Sequence, residues 1–262
     1  MPEIAIAVVR KYFPIHPKTK PHIHMEKIQT INYNRASLFS FGLLVLLIWG
    51  FYRTYIMFFP SFEGFQLVHH FHGAIMLIWI GCLIVQPLLI SNKQHRLHKA
   101  IGKISFILAP ILMFSIFLVA KATFYTNVKA LPTLADAVAI ISLSIPGIVI
   151  FGVLYGLAVS NKQRTYYHMR YMIGTGILMI GPGLGRILIV TFGFSAPTGI
   201  SVTLAVSALI GVIFLVVDIV HKRDYYPNLI VAGLMIFQSA IWEMRYSALW
   251  QGPGSTFADI FF

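Results

Sequence analysis

Residues 134–160 read LADAVAIISLSIPGIVIFGVLYGLAVS, with Asp136 as the one formally charged residue. A helix of about 20 predominantly apolar residues is long enough to cross the ~30 Å hydrocarbon core of a bilayer. A run of this length and polarity is typical of a transmembrane helix and unusual in a soluble domain. The sequence therefore predicts that this stretch crosses a membrane as an α-helix.

Similar runs lie on both sides of this stretch, at residues 37–59, 65–90, 100–125, 169–192, 199–220 and 228–250. The chain has 262 residues, of which 58% are hydrophobic and only 11% are charged, whereas soluble domains carry about 25% charged residues. We predict an all-α polytopic membrane bundle of about seven transmembrane helices at 36–251. A basic tail at 1–35 precedes it and a short tail at 252–262 follows it. A soluble enzyme is excluded.

The basic residues follow a pattern that predicts orientation. The chain has 20 Lys and Arg against 8 Asp and Glu, a net charge of +12. They cluster in the tail and after the second, fourth and sixth predicted spans, while the alternate loops contain little beyond Lys129. The positive-inside rule then predicts a cytoplasmic N-terminus and an extracytoplasmic C-terminus, in a bacterial inner membrane. We interpret the basic excess as a surface for anionic inner-leaflet lipids and not for nucleic acid.

Two histidines begin different spans at the predicted cytoplasmic face. His98 begins the third span and His168 the fifth, so they can lie at similar depth, as the two axial ligands of a haem b do. His95, one turn earlier, is the substitute ligand, and Arg96 and Arg170 can pair with haem propionates. The same residues also suit a simpler interpretation, in which they meet lipid head groups and cap helices.

The motifs around these histidines resemble those of a known family. Residues 98–103 read HKAIGK and residues 168–172 read HMRYM. They resemble a bacterial multi-pass membrane family of unknown function with His-Arg/Lys-x-x-Gly-Arg/Lys at one span and His-x-x-Trp-Met-Arg at a later one. The resemblance covers the second to fifth spans, and the second motif here lacks the Trp and has its Arg shifted. The family is distantly similar to di-haem transmembrane cytochromes b, which implies haem b, electron transfer, and a quinone or a membrane redox complex as partner.

A second group of histidines occurs in HHFHG at residues 69–73, near the opposite face. About 20 residues of helix, roughly 30 Å, separate His72 from the cytoplasmic end of its span, so the two groups cannot share a cofactor. His69 and His72 lie one turn apart on one helix face, a spacing that suits a copper, iron or zinc ion better than a haem. His70 is a further candidate ligand.

Acidic residues near the same face can complete such a metal site. Glu63 lies in the adjacent loop and Glu243 in the seventh span. Ionisable groups within spans are rare and usually face the interior of a bundle. Glu243 has an alternative partner in Arg186, another charge within a span.

Three functions remain open from the sequence. The first is a haem- or metal-binding membrane protein of redox type with histidine sites at both faces. The alternative is a non-catalytic structural or assembly subunit of a larger membrane complex, because the chain has little soluble domain and few conventional catalytic residues. The third is a metal or proton transporter that uses the charges within its spans. One structural feature is also predicted: Pro182, in GPGLG at 181–185, should break or kink the fifth span.

Overall fold

A computed structural model describes residues 32–262. The predicted tail at 1–35 lies outside the described residues except at 32–35, which begin the first helix. The side-chain oxygen of Asn32 accepts a hydrogen bond from the backbone nitrogen of Arg35, at 3.0 Å. This N-cap satisfies one of the free backbone donors at the start of the helix.

Residues 32–262 form α-helices joined by short turns, with no strand among them. The helices of this part of the chain are α1 (Tyr33–Tyr52), α2 (Leu67–Ser91), α3 (His95–Ala130), α4 (Leu134–Ser160), α5 (Thr165–Ile177), α6 (Ile180–Arg186), α7 (Ala196–Val220), α8 (Tyr226–Glu243) and α9 (Ala248–Phe261). A 3-10 turn lies at Ile56–Phe58, and a π-helical turn at Ile187–Thr191 follows α6.

Six helical segments of the described chain are long and apolar enough to cross a membrane: α1, α2, α3, α4, the combined segment Thr165–Thr191, and α7. The predicted all-α polytopic bundle is therefore confirmed. The seventh predicted span corresponds mainly to α8, which has 18 residues and is not among the six. We call the end of the bundle where α2 stops and α3 starts the basic end, and the end with the α1–α2 loop the aromatic end.

The fifth span is interrupted at Leu178 and Met179, between α5 and α6. Pro182 explains the position of this break. Proline has no N–H to donate to the carbonyl four residues earlier, and its ring clashes with that carbonyl. The carbonyl in question belongs to Leu178, so the predicted break at Pro182 is confirmed and falls one turn before the proline.

The interrupted span packs closely on α1. A Cβ added to Gly50 would lie 2.3 Å from the carbonyl oxygen of Gly183, closer than real Cβ contacts come. Two glycines therefore allow the backbones of α1 and α6 to touch, as small residues do at helix contacts in membranes. This contact holds the short helix α6 against the first span.

The C-terminal residues, predicted as a tail from 252, form helix α9. It packs on the first turns of α4, where the indole nitrogen of Trp250 donates to the carbonyl oxygen of Val138 at 2.8 Å. Phe124 of α3 and Ala258 of α9 belong to the same small apolar cluster. Helix α3 has 36 residues, about 54 Å, so it extends well past the hydrocarbon core and supports α9 there.

Candidate functional site

Six helix ends lie at the basic end: α2, α4 and α7 finish there, while α3, α5 and α8 begin. His98 is the one partly buried residue of 91–100, the others being exposed, and His168 is also partly buried. The two histidines that the sequence proposed as a pair thus lie at the same end of the bundle, each near the start of its helix.

The orientation of His168 is fixed by a hydrogen bond. Its Nδ1 lies 2.8 Å from the carbonyl oxygen of Ala158. A carbonyl oxygen only accepts, so Nδ1 carries the proton and donates, and Nε2 keeps its lone pair. Ala158 lies in the last turn of α4, where carbonyls have no partner within the helix. A histidine held in this way has the tautomer and the support that metal-ligating histidines usually have.

His98 and Gln86 each have a buried polar atom without a partner among the described residues. These atoms are Nδ1 of His98 and Oε1 of Gln86. Nε2 of Gln86 donates to the carbonyl oxygen of His98 at 3.3 Å. Leaving a buried polar group unpaired costs about 1–3 kcal/mol. Both atoms are therefore available to a hydrogen-bonding ligand.

A glycine lies one turn after His98 on α3. A Cβ added to this residue, Gly102, would approach only Nε2 of Gln86, at 3.9 Å. The glycine therefore leaves space beside His98.

The basic candidates at this end behave differently from one another. His95 and Arg96 are exposed. Arg170 donates from Nη2 to Oδ1 of the fully buried Asp218 at 2.8 Å, and to the hydroxyl of Tyr166 at 3.0 Å. Arg170 is thus engaged within the protein, and its predicted contact with a propionate does not fit this arrangement.

Asp218 itself was not predicted as a central residue. Besides Arg170 it accepts a hydrogen bond from Nδ2 of Asn228 at 2.6 Å, and a nitrogen of Arg223 lies 3.8 Å away. The sequence feature that could have identified Asp218 is its position as a carboxylate in the last turn of an apolar span, where ionisable groups usually face the bundle interior.

At the aromatic end, the three clustered histidines have separate partners. Nδ1 of His69 accepts a hydrogen bond from the backbone nitrogen of Gln66 at 3.1 Å, as part of the cap of α2. Nδ1 of His70 is hydrogen-bonded to the hydroxyl of Tyr55. His72 is hydrogen-bonded through Nδ1 to the hydroxyl of Ser115 at 2.9 Å.

The acidic residues proposed for a metal site lie elsewhere. Glu63 is exposed. Glu243 is also exposed and lies 3.9 Å from Arg245. Within residues 32–262, no three His, Cys, Asp or Glu side chains are placed to hold one metal ion. The structure thus does not assemble the predicted outer metal site, because capping draws His69 away and local hydrogen bonds hold the other histidines.

Arg186 is the notable charge in the same half of the bundle. Its Nη1 donates to the carbonyl oxygen of Pro182 at 2.9 Å, and its guanidinium lies 4.1 Å from the ring centre of Phe51. No carboxylate of the described chain lies within 4.0 Å of it, so the alternative pair of Arg186 with Glu243 does not form.

No family model matches this chain, and neither the curated proteins nor the solved structures contain a match.

Proposed function

We propose that this integral membrane protein is of redox type and binds haem b between His98 and His168 at the basic end. One observation carries the proposal. His168 is fixed through Nδ1 with Nε2 left free, and it lies at the same end of the bundle as His98, whose buried Nδ1 has no partner among the described residues.

The residues present fit such a group. The two imidazoles come from different helices, α3 and α5, and would hold the haem iron. Gly102 leaves room beside His98. Exposed Arg96, Lys99 and Lys103 remain to pair with propionates, while Arg170 serves Asp218.

A bound haem would supply one-electron transfer, and the chain's own residues would set its conditions. Ala158 keeps His168 in the ligating tautomer. Burial and hydrogen bonding at the ligands are what tune the potential of a haem. A quinone dissolved in the bilayer, or a membrane redox complex, is the partner class that can reach this position.

Haem content of purified variants tests the proposal. His98→Ala and His168→Ala should each abolish haem binding. His221→Ala is the matched control, since His221 lies at the same end but is exposed and bonded to the carbonyl of Val217 in its own helix. Wild-type protein from haem-replete cells with neither haem nor bound metal would overturn the proposal. Stable co-purification of that cofactor-free protein with a larger complex would instead favour a structural or assembly subunit.

A further inference from the structure

Gln86 is a polar side chain near the end of the apolar helix α2, which stops at Ser91. Its amide lies against the start of α3, where Nε2 donates to the carbonyl oxygen of His98 at 3.3 Å. A Cβ on Gly102 would lie 3.9 Å from the same nitrogen. These two distances place the amide on the first turns of α3, in contact with a residue proposed as a haem ligand.

The amide of Gln86 is held only weakly by this contact. At 3.3 Å it is longer than the usual range of about 2.7–3.2 Å for an N–H···O hydrogen bond. The carbonyl of His98 lies inside α3, where it also accepts from the backbone N–H four residues later. The amide can therefore turn toward another partner without leaving this carbonyl unpaired.

Two buried atoms of these residues lack partners within residues 32–262: Oε1 of Gln86, which accepts, and Nδ1 of His98, which can donate. Because Nδ1 of His98 is buried, Nε2 is the ring nitrogen that iron can reach. A nitrogen that binds iron keeps its lone pair, so the single proton of the neutral ring then lies on Nδ1. A buried N–H needs an acceptor, and Oε1 belongs to the side chain that already contacts His98.

The other proposed ligand already has such an acceptor. Nδ1 of His168 donates to the carbonyl oxygen of Ala158, in the last turn of the preceding helix α4, at 2.8 Å. Gln86 likewise belongs to the last turns of α2, the helix that precedes His98. Each histidine is thus contacted by an oxygen-bearing group from the end of the helix before its own.

We propose that Gln86 is a positioning residue for His98, whose Nδ1 proton its amide oxygen accepts when Nε2 binds the haem iron. This inference rests on the haem proposed above. A hydrogen bond at the far nitrogen of a ligating histidine fixes the orientation of the ring and makes it a more basic ligand. A more basic ligand favours ferric over ferrous iron and so lowers the reduction potential of the haem.

Redox titration of the purified, haem-loaded protein tests this role. Gln86→Leu removes the acceptor at nearly the same side-chain size and should raise the midpoint potential, by about 59 mV for a tenfold change in the one-electron equilibrium. Gln86→Glu keeps an acceptor oxygen and adds negative charge, so its midpoint potential should lie below that of wild type. Ser37→Ala is the matched control, because the Ser37 hydroxyl donates to the carbonyl oxygen of Ile84 on α2 at 2.8 Å. It also removes a polar contact between spans, and its potential should equal that of wild type.

The opposite directions of the two shifts distinguish positioning from packing. A side chain that only packs α2 on α3 would change the free energy of unfolding in both Gln86 variants without shifting their potentials in opposite directions. If Gln86→Leu does not fold or does not retain haem, Gln86→Glu decides by itself: a potential below wild type supports the role, and any other result overturns it. Haem-loaded Gln86→Leu with the wild-type potential would overturn the role of Gln86 and leave the haem proposal intact, whereas wild-type protein without haem would overturn both.

Discussion

At the scale of single residues, the polar side chains of this bundle act through specific partners. Asp218 is the clearest case. It is fully buried, forms ion pairs with Arg170 and Arg223, and accepts a hydrogen bond from Asn228. This one carboxylate connects the start of the fifth span with α7 and α8. Removing one partner of a buried ion pair leaves the other as an uncompensated charge, which costs more than the pair itself contributes.

Asp218→Ala should therefore lower the free energy of unfolding by about 3–5 kcal/mol, because Arg170 is left without its carboxylate. Unfolding in mixed micelles of mild detergent and SDS measures it. Asp259→Asn is the control, as Asp259 is exposed on α9 and should change stability by less than about 0.5 kcal/mol. If both variants unfold alike, Asp218 does not hold these helices together.

At the scale of helices, a proline inside a span removes a backbone hydrogen-bond donor, and a side chain of a neighbouring helix supplies a donor in its place. Pro146 lies inside α4 and cannot donate to the carbonyl of Ser142. Nε2 of Gln238 on α8 supplies the missing donor, at 3.3 Å from the oxygen of Ser142 and 3.1 Å from that of Leu143. Backbone groups at membrane depth must be satisfied by protein, so this contact fixes the packing of α8 on α4.

A double-mutant cycle tests whether Gln238 compensates for Pro146. Gln238→Leu should cost about 1–3 kcal/mol, because a carbonyl left buried without a donor pays its desolvation penalty. In a Pro146→Ala background the restored N–H can serve Ser142, so the same change should cost about 1 kcal/mol less. The readout is again the free energy of unfolding. Strictly additive effects would show that Gln238 does not compensate for the proline.

The same scale shows what the sequence could predict. Spans were predictable because hydropathy and length act locally, and the break near Pro182 was predictable because a proline acts on the carbonyl four residues earlier. The hydrogen-bond partners of Arg170 and His72 were not predictable from the sequence. They depend on which face of α5 packs on α7 and which face of α2 packs on α3. That His98 and His168 lie at the same end of the bundle was predictable because both start spans at one face.

At the scale of the whole molecule, two polar regions lie at opposite ends of an apolar bundle. Gln86, which is hydrogen-bonded to the backbone of His98, and His72 are 14 residues apart on α2, about 21 Å along the helix. The basic residues surround the first region, and exposed aromatic side chains surround the second. This difference in charge between the two ends is the physical basis for the predicted orientation.

Labelling of single cysteines tests that orientation in a Cys82→Ser background, which removes the chain's one cysteine. An impermeant maleimide applied to intact cells should label Glu63→Cys and not His95→Cys, because basic loops stay in the cytoplasm. Phe262→Cys should label like Glu63→Cys if α8 crosses the membrane. Labelling of position 95 in intact cells would contradict the orientation, and protection of position 262 would remove α8 from the spans.

The central claim is that His98 and His168 together ligate one haem, and the absorption spectrum of the purified wild-type protein tests it most directly. A dithionite-reduced minus oxidised spectrum should show the sharp bands of a low-spin b-type haem, with one haem per chain by pyridine haemochrome assay. Spectra without haem bands after expression in haem-replete cells, or bands that persist unchanged in the His98→Ala, His168→Ala double variant, would contradict the claim.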